Sequence, residues 1–140
     1  SQKHTCVKFV EPDDPMYVKI GNTFIANLQK YLGPNDHLYN GDQFNEVNPA
    51  NSDPEYLKRA GAGMIASMRQ ADPEAIWVMQ GWLFFHANDF WGEPQVEGYL
   101  SGVDNDSMII LDLYADMHPI WKMTKSFYGK PFIWCQLMNF

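Results

Sequence analysis

The sequence predicts an α/β fold of parallel βαβ units, on three observations. Four short apolar runs, centred near Leu38, Trp77, Ile110 and Ile133, are bounded by turn residues and suit strands. Helix-period stretches separate them, and successive runs lie 23 to 39 residues apart, the spacing of right-handed crossovers between parallel strands. All four runs end in polar or aromatic residues, which a parallel sheet gathers on one face.

Ser1 to Val10 reads as a lead-in with room for a short strand at Cys6-Val10. Asp13-Asp14-Pro15 is a helix start, an acidic cap with proline in the first turn. Tyr17, Ile20, Phe24, Leu28 and Tyr31 then recur at helical spacing until Gly33-Pro34 stops them. The first strand is expected over Asp36 to Asn40, half buried. Asp53-Pro54-Glu55 opens a second helix with a buried stripe of Leu57, Ala60, Met64, Ile65 and Met68, ended by Asp72-Pro73. Gly61 and Gly63 inside it each cost about 1 kcal/mol against alanine, so close packing is expected there. Ala75 to Met79 is apolar enough for a parallel strand covered on both faces. After Gln80-Gly81-Trp82, an aromatic loop holds Phe84, Phe85, Phe90 and Trp91, and Pro94 to Ser101 is a short helix. Met108 to Leu113 is the third strand. Pro119 opens a last helix to about Phe127, and Phe132 to Leu137 is the fourth strand. Trp77, Trp121 and Trp134 read as packing residues.

The 140 residues suffice for one domain but not for a complete (β/α)8 barrel, which takes roughly 250. With 46% hydrophobic and 15% aromatic residues the composition is that of a folded chain. A net charge of −7 and a pI near 4.8 argue against nucleic acid and give no support for an anionic membrane surface. No apolar run reaches the ~18 residues of a membrane span. Cys6 and Cys135 have no metal-ligand spacing, and their separation predicts no disulfide; Cys135 reads as a buried free thiol. Asn105-Asp106-Ser107 is a glycosylation sequon, which permits a secretory history.

The richest stretch chemically is Asp36 to Pro49, a short strand running into a loop with Asp42, Asn45, Glu46 and Asn48. A glutamate there can protonate a leaving oxygen if its surroundings raise its pKa, while a neighbouring amide binds a sugar hydroxyl or acetamide. The bland alternative is a solvated loop rich in turn-forming polar residues.

Asp42-Gln43-Phe44-Asn45-Glu46, Gln80-Gly81-Trp82-Leu83-Phe84, Leu111-Asp112-Leu113 and Pro131-Phe132-Ile133-Trp134-Cys135 together resemble the glycoside hydrolase family 89, the α-N-acetylglucosaminidases, from about Asp13 to Phe140. The resemblance implies that residues 1–140 are one partial catalytic (β/α)8 (TIM) barrel domain, about half of the barrel. It implies a retaining hydrolase of terminal α-linked N-acetylglucosamine, in animals from heparan sulfate, in a lysosomal or secreted glycoprotein. Glu46 matches the acid/base glutamate and Asn45 a sugar contact. Trp82 matches an aromatic wall, which the affinity of a flat sugar face for indole suits; Leu113 and Leu137 match apolar wall positions. Asp42, Asp112 and Cys135 stand behind these, and Asp112 and Asp116 read as hydrogen-bond acceptors or helix caps. The matching nucleophile falls beyond Phe140. Met138 stands where some relatives carry histidine, a departure that touches the contacts near Asn139. No cofactor or metal is expected.

Two other readings remain open. A metal-dependent hydrolase could use His37, Asp42, Asp112, Asp116 and His118, although no metal-binding spacing supports it. A non-catalytic sugar-binding or interaction module is the other, because half a barrel exposes two sheet edges. The remainder of the barrel or a second copy is the expected partner, and the isolated chain is expected to be inactive for want of a second carboxylate.

Overall fold

Two Asp-Pro steps start the two long helices. The computed structural model describes residues 10–12, 14–33, 35–45 and 47–137. Helix α1 (Pro15–Leu32) begins where the Asp14 carboxylate accepts from the Met16 N–H at 2.8 Å. Helix α2 (Pro54–Arg69) repeats the device, with Asp53 accepting from Glu55 at 3.2 Å. Each carboxylate takes an N–H that the first turn leaves without a partner, and its charge suits the positive end of the helix dipole. The expected strand at Cys6-Val10 and the cap residue Asp13 lie outside the described residues, apart from Val10.

Strands β1 (Leu38–Asn40), β2 (Ile76–Gln80), β3 (Met108–Asp112) and β4 (Phe132–Trp134) form one parallel sheet in that order. Neighbours in sequence are neighbours in space, without the reversal of a doubly wound sheet. This is the strand order of a (β/α)8 barrel, and four strands are half of one.

The register separates two faces. Tyr39, Trp77 and Met108 stand in one row, with Met79 and Ile110 in the next. All five are buried against the helices. The opposite face carries the rows Asn40-Val78-Ile109 and Gln80-Leu111-Ile133. These residues are half buried or exposed, so β2 is covered fully on one face only among the described residues. In a closed barrel that second face is the interior, filled by side chains from the remaining strands.

Helix α2 and helix α4 (Glu93–Ser101) pack closely on the helix side. A Cβ on Gly61 would stand 2.5 Å from the Tyr99 carbonyl oxygen, and one on Gly63 would stand 3.0 Å from that of Pro12. Close approach therefore accounts for both glycines. Met64 of the expected stripe is half buried, the other four residues fully. Helix α1 differs: Ile25 is its buried residue, while Ile20, Phe24 and Tyr31 are all more than half exposed.

Several elements depart from the sequence expectation. The first strand begins at Leu38 rather than Asp36, because the Asn35 side chain accepts from the His37 N–H at 2.8 Å and His37 takes a φ of 60°. That local turn competes with extended pairing. Trp82 to His86, expected in a loop, forms a short helix, α3. The expected helix from Pro119 to Phe127 is two pieces, α5 (Ile120–Met123) and a left-handed turn, α6 (Lys125–Tyr128), with φ between 50° and 56°. Such backbone persists where its surroundings over-determine it. Here Phe127 is fully buried, 6.4 Å from the Phe84 ring and 5.3 Å from Phe132, and its N–H donates to Thr124 Oγ1. The fourth strand stops at Trp134 instead of Leu137. As the edge strand, β4 leaves Trp134 51% exposed, so its expected packing role is corrected.

Candidate functional site

The carboxyl ends of all four strands lie at one edge of the parallel sheet, and each leads into residues of the candidate site. This is the end at which (β/α)8 enzymes place their chemistry. Glu46 lies outside the described residues, and so do Met138 and Asn139. Asn45, half buried, is the described residue just before Glu46 in the loop after β1.

That loop is fastened residue by residue. Trp77 Nε1 donates to the Gly41 carbonyl at 2.6 Å. Asp42 Oδ1 accepts from the Gln80 N–H at 3.2 Å and so joins the ends of β1 and β2. Gln43 Nε2 donates to the Tyr17 hydroxyl at 2.6 Å, and Gln43 Oε1 accepts from the Tyr99 hydroxyl at 3.1 Å. Phe44, at φ 64°, packs 6.1 Å from the Tyr99 ring and 6.5 Å from Trp91.

After β2, Gly81 comes so close to β3 that a Cβ there would stand 3.2 Å from the Leu111 carbonyl oxygen. Trp82 follows, half buried, and gathers a ring cluster: Phe85 at 5.1 Å, Tyr114 at 6.2 Å, His118 at 6.3 Å and His86 at 6.5 Å, the last nearly parallel. His118 itself stacks on Phe85 at 4.2 Å. Trp82 is no part of the buried core cluster, which takes Leu83 and Phe84 from the same helix. An indole held among other rings, with part of its surface open, can receive an apolar sugar face.

After β3, Asp112 is fully buried and accepts from the Ile120 N–H at 3.2 Å and the Trp121 N–H at 3.3 Å. It therefore serves the start of α5. Burial raises its carboxyl above the usual aspartate range, and the two N–H groups pull the other way. Leu113 is half buried and Asp116 exposed. After β4, Cys135 is a free thiol, half buried rather than buried, and burial followed by the Asp112 charge raises its pKa. The Cys135 N–H donates to the Asp112 carbonyl at 3.2 Å. Leu137 is 43% exposed.

Two sequence candidates lie elsewhere. His37 sits at the opposite end of β1, where Nδ1 is 2.7 Å from Asp72 Oδ2 and Nε2 is 3.4 Å from Glu74. It is thus separated from Asp112 and His118, and among the described residues no three potential ligands converge on one point. Asn105 lies in the 3-10 turn before β3, also at the amino ends of the strands. Its side-chain amide donates to the Gly129 carbonyl at 3.3 Å and accepts from Lys130 Nζ at 2.8 Å. The Asp72 cluster, in which Tyr39 donates to the carboxylate at 2.6 Å and Gln29 at 3.2 Å, escaped sequence reasoning. Its members come from three separate segments, and no motif unites them. Gln43, Tyr17 and Tyr99 escaped for the same reason.

The sequence profile of the alpha-N-acetylglucosaminidase (NAGLU) tim-barrel domain matches residues 1–140. The chain is 42% identical to human alpha-N-acetylglucosaminidase over 137 residues, which cover 98% of this chain and 18% of that relative. Among solved structures it is similar in fold to a family 89 glycoside hydrolase from Clostridium perfringens. The complex of that enzyme with PUGNAc gives a TM-score of 0.69 at 23% identity. Its complex with 2-acetamido-1,2-dideoxynojirmycin gives 0.70 at 24%. Each alignment covers 95% of this chain and 14% of the longer one. The chain therefore spans less than a fifth of the length of any of these relatives.

Proposed function

The chain belongs to the alpha-N-acetylglucosaminidase family through its TIM-barrel domain, and from that premise we propose that it is part of a retaining hydrolase of terminal α-linked N-acetylglucosamine. In this reading Glu46 is the general acid/base and Asn45 contacts the sugar. Trp82 forms the aromatic wall of the subsite, with Leu113 and Leu137 as apolar walls. Asp42 and Asp112 hold the strand ends behind them, and Cys135 fills the space beside Asp112. The observation that carries the reading is the arrangement of the strand ends: Asn45, Trp82, Leu113 and Leu137 each follow a different strand, and all four follow at the same edge of one parallel sheet.

Retention requires two carboxylates about 5–5.5 Å apart, one donating the proton and one attacking the anomeric carbon. Among the described strand-end acids, Asp42 and Asp112 are both engaged by backbone N–H groups. Asp116 is exposed, and since none of the three matches the family's nucleophile, the family resemblance assigns that group outside this chain, to the rest of the barrel. By itself the 140-residue chain is then a sugar-binding piece without turnover. Heparan sulfate-type glycans as substrate, and a lysosomal or secreted glycoprotein as setting, belong to the same proposal.

The test is Glu46→Ala in the full polypeptide, with aryl α-N-acetylglucosaminides of good and poor leaving groups. An activated phenolate needs little protonation, so kcat/KM should fall by about 100-fold or more for poor leaving groups and far less for activated ones. An equal fall for both removes Glu46 from the acid role.

A further inference from the structure

We propose that Gln43 is a positioning residue for this reaction: its amide, gripped by Tyr17 and Tyr99, fixes the turn through which the chain enters the Asn45-Glu46 pair. The inference rests on the reading of Glu46 as the acid/base residue. Gln43 is bound from two directions. Its Nε2 donates to Tyr17 in the first turn of α1 at 2.6 Å, and its Oε1 accepts from Tyr99 in α4 at 3.1 Å. A carboxamide meets both demands, whereas a carboxylate has no donor and an alkyl chain has neither function. The Tyr17 hydroxyl itself donates to Met64 Sδ at 3.4 Å, so it is used both as acceptor and as donor.

The residues on either side limit what else the turn can do. Asp42 is held to β2 through the Gln80 N–H, and Phe44 is wedged against Tyr99 with a left-handed φ of 64°. Left-handed backbone at phenylalanine is costly and survives where the neighbours enforce it. Tyr99 supplies both the ring under Phe44 and the hydroxyl on Gln43, and it is fully buried. Burial pushes the Tyr17 phenol up to about 12 and Tyr99 well above its ordinary value. Both stay protonated at acid and neutral pH, so the clamp is indifferent to the pH at which a glycosidase works. A carboxylate in its place would be titrated there.

A purely structural glutamine would affect stability or all substrates alike, whereas a positioning role is selective for the step that needs the proton. Gln43→Met keeps the length of the side chain and removes both hydrogen bonds. In the full polypeptide it should lower kcat/KM for aryl α-N-acetylglucosaminides of poor leaving groups by about tenfold to a hundredfold, the cost of misplacing a reacting group by on the order of 1 Å. Activated substrates should lose much less. Tyr99→Phe removes one hydroxyl and keeps the ring, and it carries the same comparison should Gln43→Met fail to fold. Glu46→Ala is measured beside them. If Glu46→Ala discriminates between leaving groups and the Gln43 and Tyr99 variants do not, the positioning role is overturned and the acid/base reading stands. If Glu46→Ala itself does not discriminate, both fall together.

Discussion

His37 Nδ1 lies 2.7 Å from Asp72 Oδ2, which joins the residue before β1 to the connection between α2 and β2. The hydrogen bond to Asp72 raises the imidazole pKa above its ordinary value, although burial opposes it. For Asp72 burial acts upward, and the hydrogen bonds from Tyr39 and His37 outweigh it, leaving its pKa lowered.

These two shifts give a signed pH dependence. A raised histidine contributes stability that is complete below the free-imidazole pKa, about 6.5, and is lost as pH rises through the folded value. A lowered aspartate contributes stability that is present above about pH 4 and is lost as pH falls through its folded value. The cluster is therefore strongest in mildly acid solution, between roughly pH 4 and 6.5. As pH rises above about 6.5, the His37→Gln variant should lose less stability than the parent protein, which pH-dependent melts of the two measure. A slope unchanged in His37→Gln would place its origin in other groups.

Gly61→Ala should loosen α2 from α4. The new Cβ would meet the Tyr99 carbonyl oxygen at 2.5 Å, a backbone atom that no rotamer change can move. Overpacking of this kind costs about 1–3 kcal/mol, against which alanine returns up to about 1 kcal/mol in helix propensity. With that offset, chemical denaturation should show a net loss of up to about 2 kcal/mol. A gain in stability would mean that the two helices separate freely.

Trp82→Ala should weaken N-acetylglucosamine binding while leaving the fold in place. The indole contacts other rings but is no part of the buried core cluster, so its removal opens little core volume. Stacking of an aromatic ring contributes about 1 kcal/mol, or roughly fivefold in Kd. Calorimetry with the monosaccharide and a thermal melt on the same sample separate the outcomes. A large drop in Tm with unchanged affinity would make Trp82 a packing residue.

Much of the fold was legible because its signals are local. Asp14-Pro15 and Asp53-Pro54 cap and start helices with their own side chains, whatever packs above them. Ile76 to Met79 and Met108 to Leu111 carry enough consecutive apolar surface to be strands in any parallel sheet. The family motifs named Asn45, Trp82, Leu113 and Leu137, and the parallel order brings the positions that follow each strand to one edge. For Glu46 the sequence alone speaks, since it lies outside the described residues.

The tertiary structure decided what depends on distant partners. Lys125 to Phe127 read as the continuation of a helix, yet burial of Phe127 between Phe84 and Phe132 accompanies a left-handed turn there. Ile20 and Phe24 have helical spacing but stand exposed, because periodicity marks an apolar face without saying what covers it. Gln43 looked like any polar loop residue until Tyr17, 26 positions before it, and Tyr99, 56 after it, closed on its amide. A cap is written within three residues of itself, whereas a clamp from two helices exists only once the chain has folded.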